Sequence, residues 1–326
     1  MMIVWLSDPL ALETELVGAK ARRLAELAAA ALPVPQGFVV TTAAYLKVST
    51  AGYLSGTAPE LAPGVAGARM PERVRRAISS AYRQLISSSG PNVAVRSSAN
   101  AEDLPHVSFA GQHDTFLNVA GEVELLTAVN RCWTSLHSTR AENYRLQRGH
   151  IETPSMAVAV QAMIVPEVAG VLFGMHPVTG DANRIVIEAT WGIGEAVVAG
   201  RVTPDRYVLS KRTGETIEAC VADKATRSEC RPYGIGYGAV PVAQRTLPCL
   251  TMVQRERLLE LAIRVEKQFG TPQDVEWAID RDDICWLLQT RPITTARTAA
   301  PQPLPSSVPQ YHRLYRRLIS GNHLKG

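Results

Sequence analysis

Three features of this sequence predict an α+β fold. Short apolar runs of strand length, such as Val93-Ala94-Val95, lie between Gly-, Pro- and Ser-rich breaks. Stripes of apolar residues at helical spacing alternate with them, as in Leu126, Val129, Trp133 and Leu136. The chain has 326 residues, enough for two lobes with cores of their own.

Residues 3–6 (IVWL) predict a first strand, and residues 18–32 a helix with Leu24, Leu27, Ala28 and Ala31 on one face. Pro33 and Pro35 stop that helix, and residues 37–41 form the next strand. Residues 49–70, rich in Gly, Ala and Pro, predict a loop, and residues 71–86 a helix. The longest helical pattern runs over residues 122–148 and ends at Gly149, with Trp133 in the core. Residues 156–165 are almost unbroken apolar, as in a strand buried on both faces. Further strands are predicted at residues 170–174 and 184–189, and a hairpin from residues 207–210 and 216–222. The Gly-rich stretch 234–238 reads as a surface loop. Residues 251–269 form an amphipathic helix closed by Gly270, followed by two strands at 275–280 and 284–291.

Composition narrows the function. Hydrophobic residues make up 46% and charged residues 20%, the proportions of a globular protein. The net charge of +4 is small and no Lys/Arg run is interleaved with aromatics, so nucleic acid is not an expected partner. No stretch approaches the roughly 18 apolar residues of a membrane span, so no membrane partner is expected either. MMIVWLSDPL lacks the basic start and apolar core of a signal peptide. Five widely spaced cysteines argue against a disulfide framework or a zinc site and fit a reducing, cytoplasmic setting.

Several residues invite a chemical reading. Arg96 ends an apolar strand and precedes a loop of small and polar residues. Such a loop offers N–H groups and hydroxyls to phosphate, and a guanidinium grips its oxygens bidentately, although a surface ion pair would use the same Arg. Lys20 sits near a helix N-terminus on the inward side, which suits a phosphate contact or a lysine snorkelling outward. Gln161 interrupts an apolar strand and needs a bonded amide, from a backbone neighbour or a ligand. Gly192-Ile193-Gly194-Glu195 lacks the spacing of a Gly-rich phosphate fingerprint and reads as a structural turn. In the last two strands, alternation places Val275, Trp277 and Ile279 on one face and Glu276 on the other, while Gln289 and Arg291 share a face. Paired, these strands present a carboxylate and an amide oxygen, hard ligands for Mg²⁺, beside a guanidinium suited to phosphoryl charge; a plain edge hairpin with a Glu–Arg pair is the alternative.

Five ordered segments carry a resemblance: GAKARRLAEL (18–27), VPQGFVVTT (34–42), VAVRSSANAEDLPHVSFAGQHDTFLNV (93–119), AGVLFGMHPVTG (169–180) and DVEWAID…LLQTRPIT (274–294). Together they resemble the nucleotide-binding domain of the phosphoenolpyruvate synthase, pyruvate phosphate dikinase and rifampicin phosphotransferase family. The resemblance implies an ATP-grasp-like two-lobed nucleotide-binding fold, with lobes at 1–165 and 166–295 and a tail or linker at 296–326. It implies ATP and Mg²⁺ as cofactors and Lys20, Arg96, Gly111, Thr115, Gln161, Glu276, Gln289 and Arg291 as nucleotide-binding residues. Arg96, Glu276 and Arg291 are the expected catalytic residues, and Glu276 and Gln289 the expected metal ligands. The hairpin between Glu276 and Gln289 is one residue longer than the family pattern, and the extra residue is expected in the turn at 280–283. Inside a strand it would flip the register and turn Gln289 away.

Family members resemble a relay in which ATP phosphorylates a histidine on a swivelling domain. None of His106, His113, His137, His150, His176, His312 or His323 has the family's phosphohistidine setting. The expected partner is therefore a histidine-bearing swivelling domain on another chain, with the Pro-containing basic tail from Thr295 as tether. A non-catalytic nucleotide-binding module and a carboxylate–amine ligase are the alternative functions.

Overall fold

A computed structural model of the chain describes residues 1–52, 70–99, 115–136 and 155–293. Gly111, the tail and every histidine except His176 lie outside these residues, as do most of the expected 49–70 loop and the end of the helix expected at 122–148. Contacts divide the chain into two compact units, one of residues 1–29, 35–163 and 232–234, the other of residues 30–34, 164–231 and 235–326.

The first unit is built on a five-stranded antiparallel sheet of order β1-β2-β5-β3-β4. Its strands are β1 (Ile3–Trp5), β2 (Gly37–Val40), β3 (Asn92–Ala99), β4 (Thr115–Ala120) and β5 (Met156–Ala162). Strand β5 is buried at all seven residues, as its unbroken apolar run predicts. One sheet face carries Phe38, Val40, Val93, Val95, Val158 and Val160 into the main core. Helices α2 (Thr42–Thr50), α3 (Glu72–Ser89) and α4 (Glu122–Ser135) add Tyr45, Ile78, Leu85 and Trp133 to it. Burying each of these large side chains stabilises the fold by roughly 1.5–3 kcal/mol. Trp133 also satisfies its indole, whose Nε1 donates to the Met156 carbonyl at 3.1 Å.

The opposite face carries Ala94, Arg96, Ser98, Ala159 and Gln161, with helix α1 (Thr14–Ala29) packed on it. Helix α1 begins four residues before the expected start and is broken at Gly18, whose φ of 75° and ψ of 164° lie outside helical space. Only glycine reaches such a φ without strain. The helix ends at Ala29, short of the expected Leu32, and Ala31 turns the chain with a φ of 51° before the prolines.

The second unit is built on a six-stranded antiparallel sheet of order β13-β12-β6-β7-β8-β9. These strands are β6 (Pro166–Phe173), β7 (Arg184–Trp191), β8 (Asp205–Ser210), β9 (Thr216–Cys220), β12 (Gln273–Asp280) and β13 (Cys285–Pro292). Helix α5 (Glu195–Val198) follows the Gly192–Glu195 turn, and α6 (Val242–Arg245) precedes the long α7 (Met252–Phe269). Helix α7 starts with a full capping box between Thr251 and Gln254 and stops at Gly270, whose φ is 70°. The Gly-rich stretch expected to be a loop is instead strand β11 (Ile235–Ala239), paired antiparallel with β10 (Thr226–Cys230). Pairing supplies the hydrogen bonds that local propensity does not favour.

A buried ion pair fixes one end of this unit. Asp205 and Lys224 are fully shielded from solvent, and Asp205 Oδ1 accepts from Lys224 Nζ at 2.5 Å and from the Ala222 N–H at 2.9 Å. Its Oδ2 accepts from the Cys249 N–H at 2.7 Å and the Tyr207 hydroxyl at 3.2 Å. The carboxylate thus ties β8 to the loops after β9 and before α7.

Candidate functional site

In the first unit, strand register gathers several of the expected residues. Arg96 on β3 stands directly opposite Thr115 on β4 and Ala159 on β5. Gln161 stands opposite Ala94, two residues before Arg96, and opposite Gly37 on β2. Directly opposed residues share a face, so Arg96, Thr115 and Gln161 lie together on the face that α1 packs against. Arg96 is only 6% exposed, whereas Thr115 is open to solvent. Gln161 is 2% exposed, and its Nε2 has no hydrogen-bond partner among the described residues. A buried amide with an unused donor is costly unless an acceptor completes it, so Gln161 has a donor to offer a ligand.

Lys20 is half-buried, two residues past the Gly18 break. The expected helix N-terminus at this position is modified by a strand residue: the Ala21 N–H donates to Ser98 Oγ at 3.0 Å. Ser98 is two residues after Arg96 on the same face of β3.

In the second unit, Glu276 stands directly opposite Gln289, and Asp274 directly opposite Arg291. The hairpin carries an irregularity within β13. Glu276 pairs with Gln289 and Trp277 with Leu287, which leaves Leu288 as a bulge. The bulge lies on the turn side of Gln289. It shifts only the inner half of the hairpin, so Gln289 keeps the face of Glu276 instead of turning away.

Sequence reasoning missed three charged residues on this face. Asp274 is 6% exposed and accepts a hydrogen bond from Arg291 Nε at 2.7 Å. Its carboxyl lies above the usual range because of burial, an effect the Arg291 cation opposes and the Glu276 carboxylate reinforces. Glu188 on β7 lies one strand beyond Val171, the β6 partner of Glu276, and opposite Arg206 on β8. Burial pushes the Glu188 carboxyl up to about 8, with Arg206 pulling the other way. Arg206 in turn donates to Glu218 on β9. The row Gln289, Glu276, Val171, Glu188 and Arg206 therefore crosses five strands on one face. The signals were present in sequence: Asp274 is two residues from Glu276, and Glu188 interrupts the apolar run IVIEATW.

The donor set suits Mg²⁺ in one respect: Glu276 and Gln289 offer adjacent hard oxygens, and Mg²⁺ commonly completes its shell with waters and phosphate oxygens. Among the described residues, no group of three or more His, Cys, Asp or Glu side chains could hold a metal ion on its own. His176 serves its own turn, since Nδ1 accepts from the Thr179 N–H at 3.2 Å. Burial and the Arg206 and Arg184 cations hold its pKa below the usual histidine value. No helix among the described residues is long and apolar enough to cross a membrane.

Comparison with known proteins agrees with the motifs. Residues 14–311 match the family described as pyruvate phosphate dikinase, AMP/ATP-binding domain. A probable phosphoenolpyruvate synthase from Methanothermobacter thermautotrophicus is 40% identical over 306 residues, covering 86% of this chain and 44% of the relative. A rifampicin phosphotransferase from Streptomyces is 39% identical over 317 residues, covering 90% and 36%. The prodigiosin synthesizing transferase PigC from Serratia marcescens is 40% identical over 303 residues, covering 90% and 33%. This chain thus spans less than half the length of these relatives. Among solved structures, D-alanyl-alanine synthetase A from Vibrio cholerae aligns with 96% of this chain and 67% of its own at 10% identity, with a TM-score of 0.37. Each of the two units combines an antiparallel sheet with helices, an α+β organisation, and the match over residues 14–311 means that the chain belongs to the pyruvate phosphate dikinase AMP/ATP-binding domain family.

Proposed function

We propose that this chain binds Mg²⁺–ATP and performs the nucleotide half of a dikinase-type phosphoryl relay, handing a phosphoryl group to a histidine on a separate swivelling domain. The observation that most supports this reading is the face of the six-stranded sheet where Glu276 opposes Gln289 and Arg291 stands in the adjacent pair. Glu276 and Gln289 would hold the metal, which supplies charge neutralisation on phosphate oxygens when bound. Arg291 stabilises charge on the transferring phosphoryl group. Arg96 grips phosphate oxygens with a two-pronged guanidinium, Lys20 adds a point charge, and Thr115 donates its hydroxyl. Gln161 donates its buried amide to an acceptor on the nucleotide, and Gly111 admits phosphate to the backbone. The free cysteines suit a reducing cytoplasm.

The test is calorimetric titration with ATP, with and without Mg²⁺. Arg96→Ala should weaken binding by about 10-fold or more in both conditions, because a hydrogen bond to a charged group contributes about 1.5–3 kcal/mol. Glu276→Ala should remove only the Mg²⁺-dependent part. Equal losses for Glu276→Ala in both conditions would contradict the metal role. AMP as product, with one phosphoryl group recovered as acid-labile phosphohistidine on an added swivelling domain and the other released to water as inorganic phosphate, supports the relay; ADP without phosphohistidine points to carboxylate–amine ligation.

A further inference from the structure

We infer that Ser98 is a positioning residue that sets the place of Lys20 relative to Arg96; the inference rests on the proposed phosphate role of Lys20. Two contacts join Ser98 to the turn that carries Lys20. Its Oγ accepts from the Ala21 N–H at 3.0 Å, across 77 residues of sequence. Its backbone carbonyl lies against Gly18, where a Cβ would come within 2.1 Å of the carbonyl oxygen and 2.5 Å of Oγ. Gly18 and Ser98 are therefore in direct contact, and the break in α1 is where the helix comes down on β3.

The hydroxyl acts as an N-cap supplied from outside the helix. After the break at Gly18 the second segment of α1 begins anew, and its first N–H groups lack partners within the helix. Ser98 satisfies one of them from the neighbouring strand, as a cap residue would from its own. Lys20 lies between the two anchored residues, Gly18 and Ala21. Arg96 is two residues from Ser98 on the same face of β3. One buried hydroxyl thus links the chain position of the lysine to the strand that carries the arginine. Ser97 provides the contrast: it points to the other face, opposite Val158, and its hydroxyl has no hydrogen-bond partner among the described residues.

The experiment measures ATP, ADP and adenosine binding to the full chain carrying Ser98→Ala, Ser97→Ala, Lys20→Ala and the double variant Ser98→Ala/Lys20→Ala. Ser98→Ala is expected to weaken ATP and ADP binding by about 5- to 10-fold and to leave adenosine binding unchanged, with Ser97→Ala matching wild type. In the Lys20→Ala background, Ser98→Ala should have no further effect, because its influence passes through the lysine. A merely structural serine would weaken adenosine equally, or add its loss to that of Lys20→Ala; either result overturns the inference. Ser98→Cys, close in size with a weaker acceptor, should fall between wild type and Ser98→Ala and decides the matter if the alanine variant does not fold. Wild-type ATP affinity in Lys20→Ala would refute the phosphate role of the lysine and the inference with it. Reduced affinity in Lys20→Ala with wild-type affinity in Ser98→Ala would refute the inference alone.

Discussion

Replacing Glu188 by glutamine should flatten the dependence of stability on pH. Glu188 is 2% exposed, and burial pushes its carboxyl from 4.5 up to about 8 in the folded protein. A carboxyl raised in the folded state binds a proton more tightly there than in the unfolded chain. Its contribution is therefore fully present below the unfolded pKa of 4.5 and is lost as pH rises toward about 8. Within that window the loss is about 1.4 kcal/mol per pH unit. Between pH 5.5 and 7.5 the wild type should thus lose about 3 kcal/mol relative to Glu188→Gln, whose amide resembles the protonated acid and does not titrate. Urea unfolding of both proteins at half-unit pH steps measures this, and the difference between them removes the titration of groups that do not interact with Glu188. Parallel stability curves would show that Glu188 is ionised in the folded protein and that Arg206 outweighs its burial.

Other perturbations test the packing around the site. Lys224→Met strands the Asp205 carboxylate among buried partners and should cost about 3–5 kcal/mol in urea unfolding, part of which Asp205→Asn should restore in the double variant. A double variant no more stable than Lys224→Met would show that the stranded charge is not the cause. Gly170→Ala should cost about 1–3 kcal/mol or more. Its Cβ would meet the Glu188 carbonyl oxygen at 1.8 Å, a backbone atom of the adjacent strand that cannot swing aside. Unchanged melting of Gly170→Ala would mean that β6 and β7 are less rigidly packed than their register indicates.

Helix α7 was legible from its own residues, because a 3.6-residue stripe and a closing Gly270 are both local signals. The same holds for the buried run of β5 and the alternation that puts Val275, Trp277 and Ile279 on one side of β12. The sequence also supplied the chemical types at Lys20, Arg96, Gln161, Glu276, Gln289 and Arg291. It could not tell which strand each residue faces. The bulge at Leu288, the pairing of Gly-rich β11 with β10, the Asp274–Arg291 bond and the Glu188–Arg206 opposition all depend on register between strands. The Gly18 break and its Ser98 cap depend on a contact across 77 residues. Periodicity within a segment fixes which residues share a face, but pairing is decided by the whole sheet, since a one-residue slip exchanges both faces of a strand and only the packed core selects one of them.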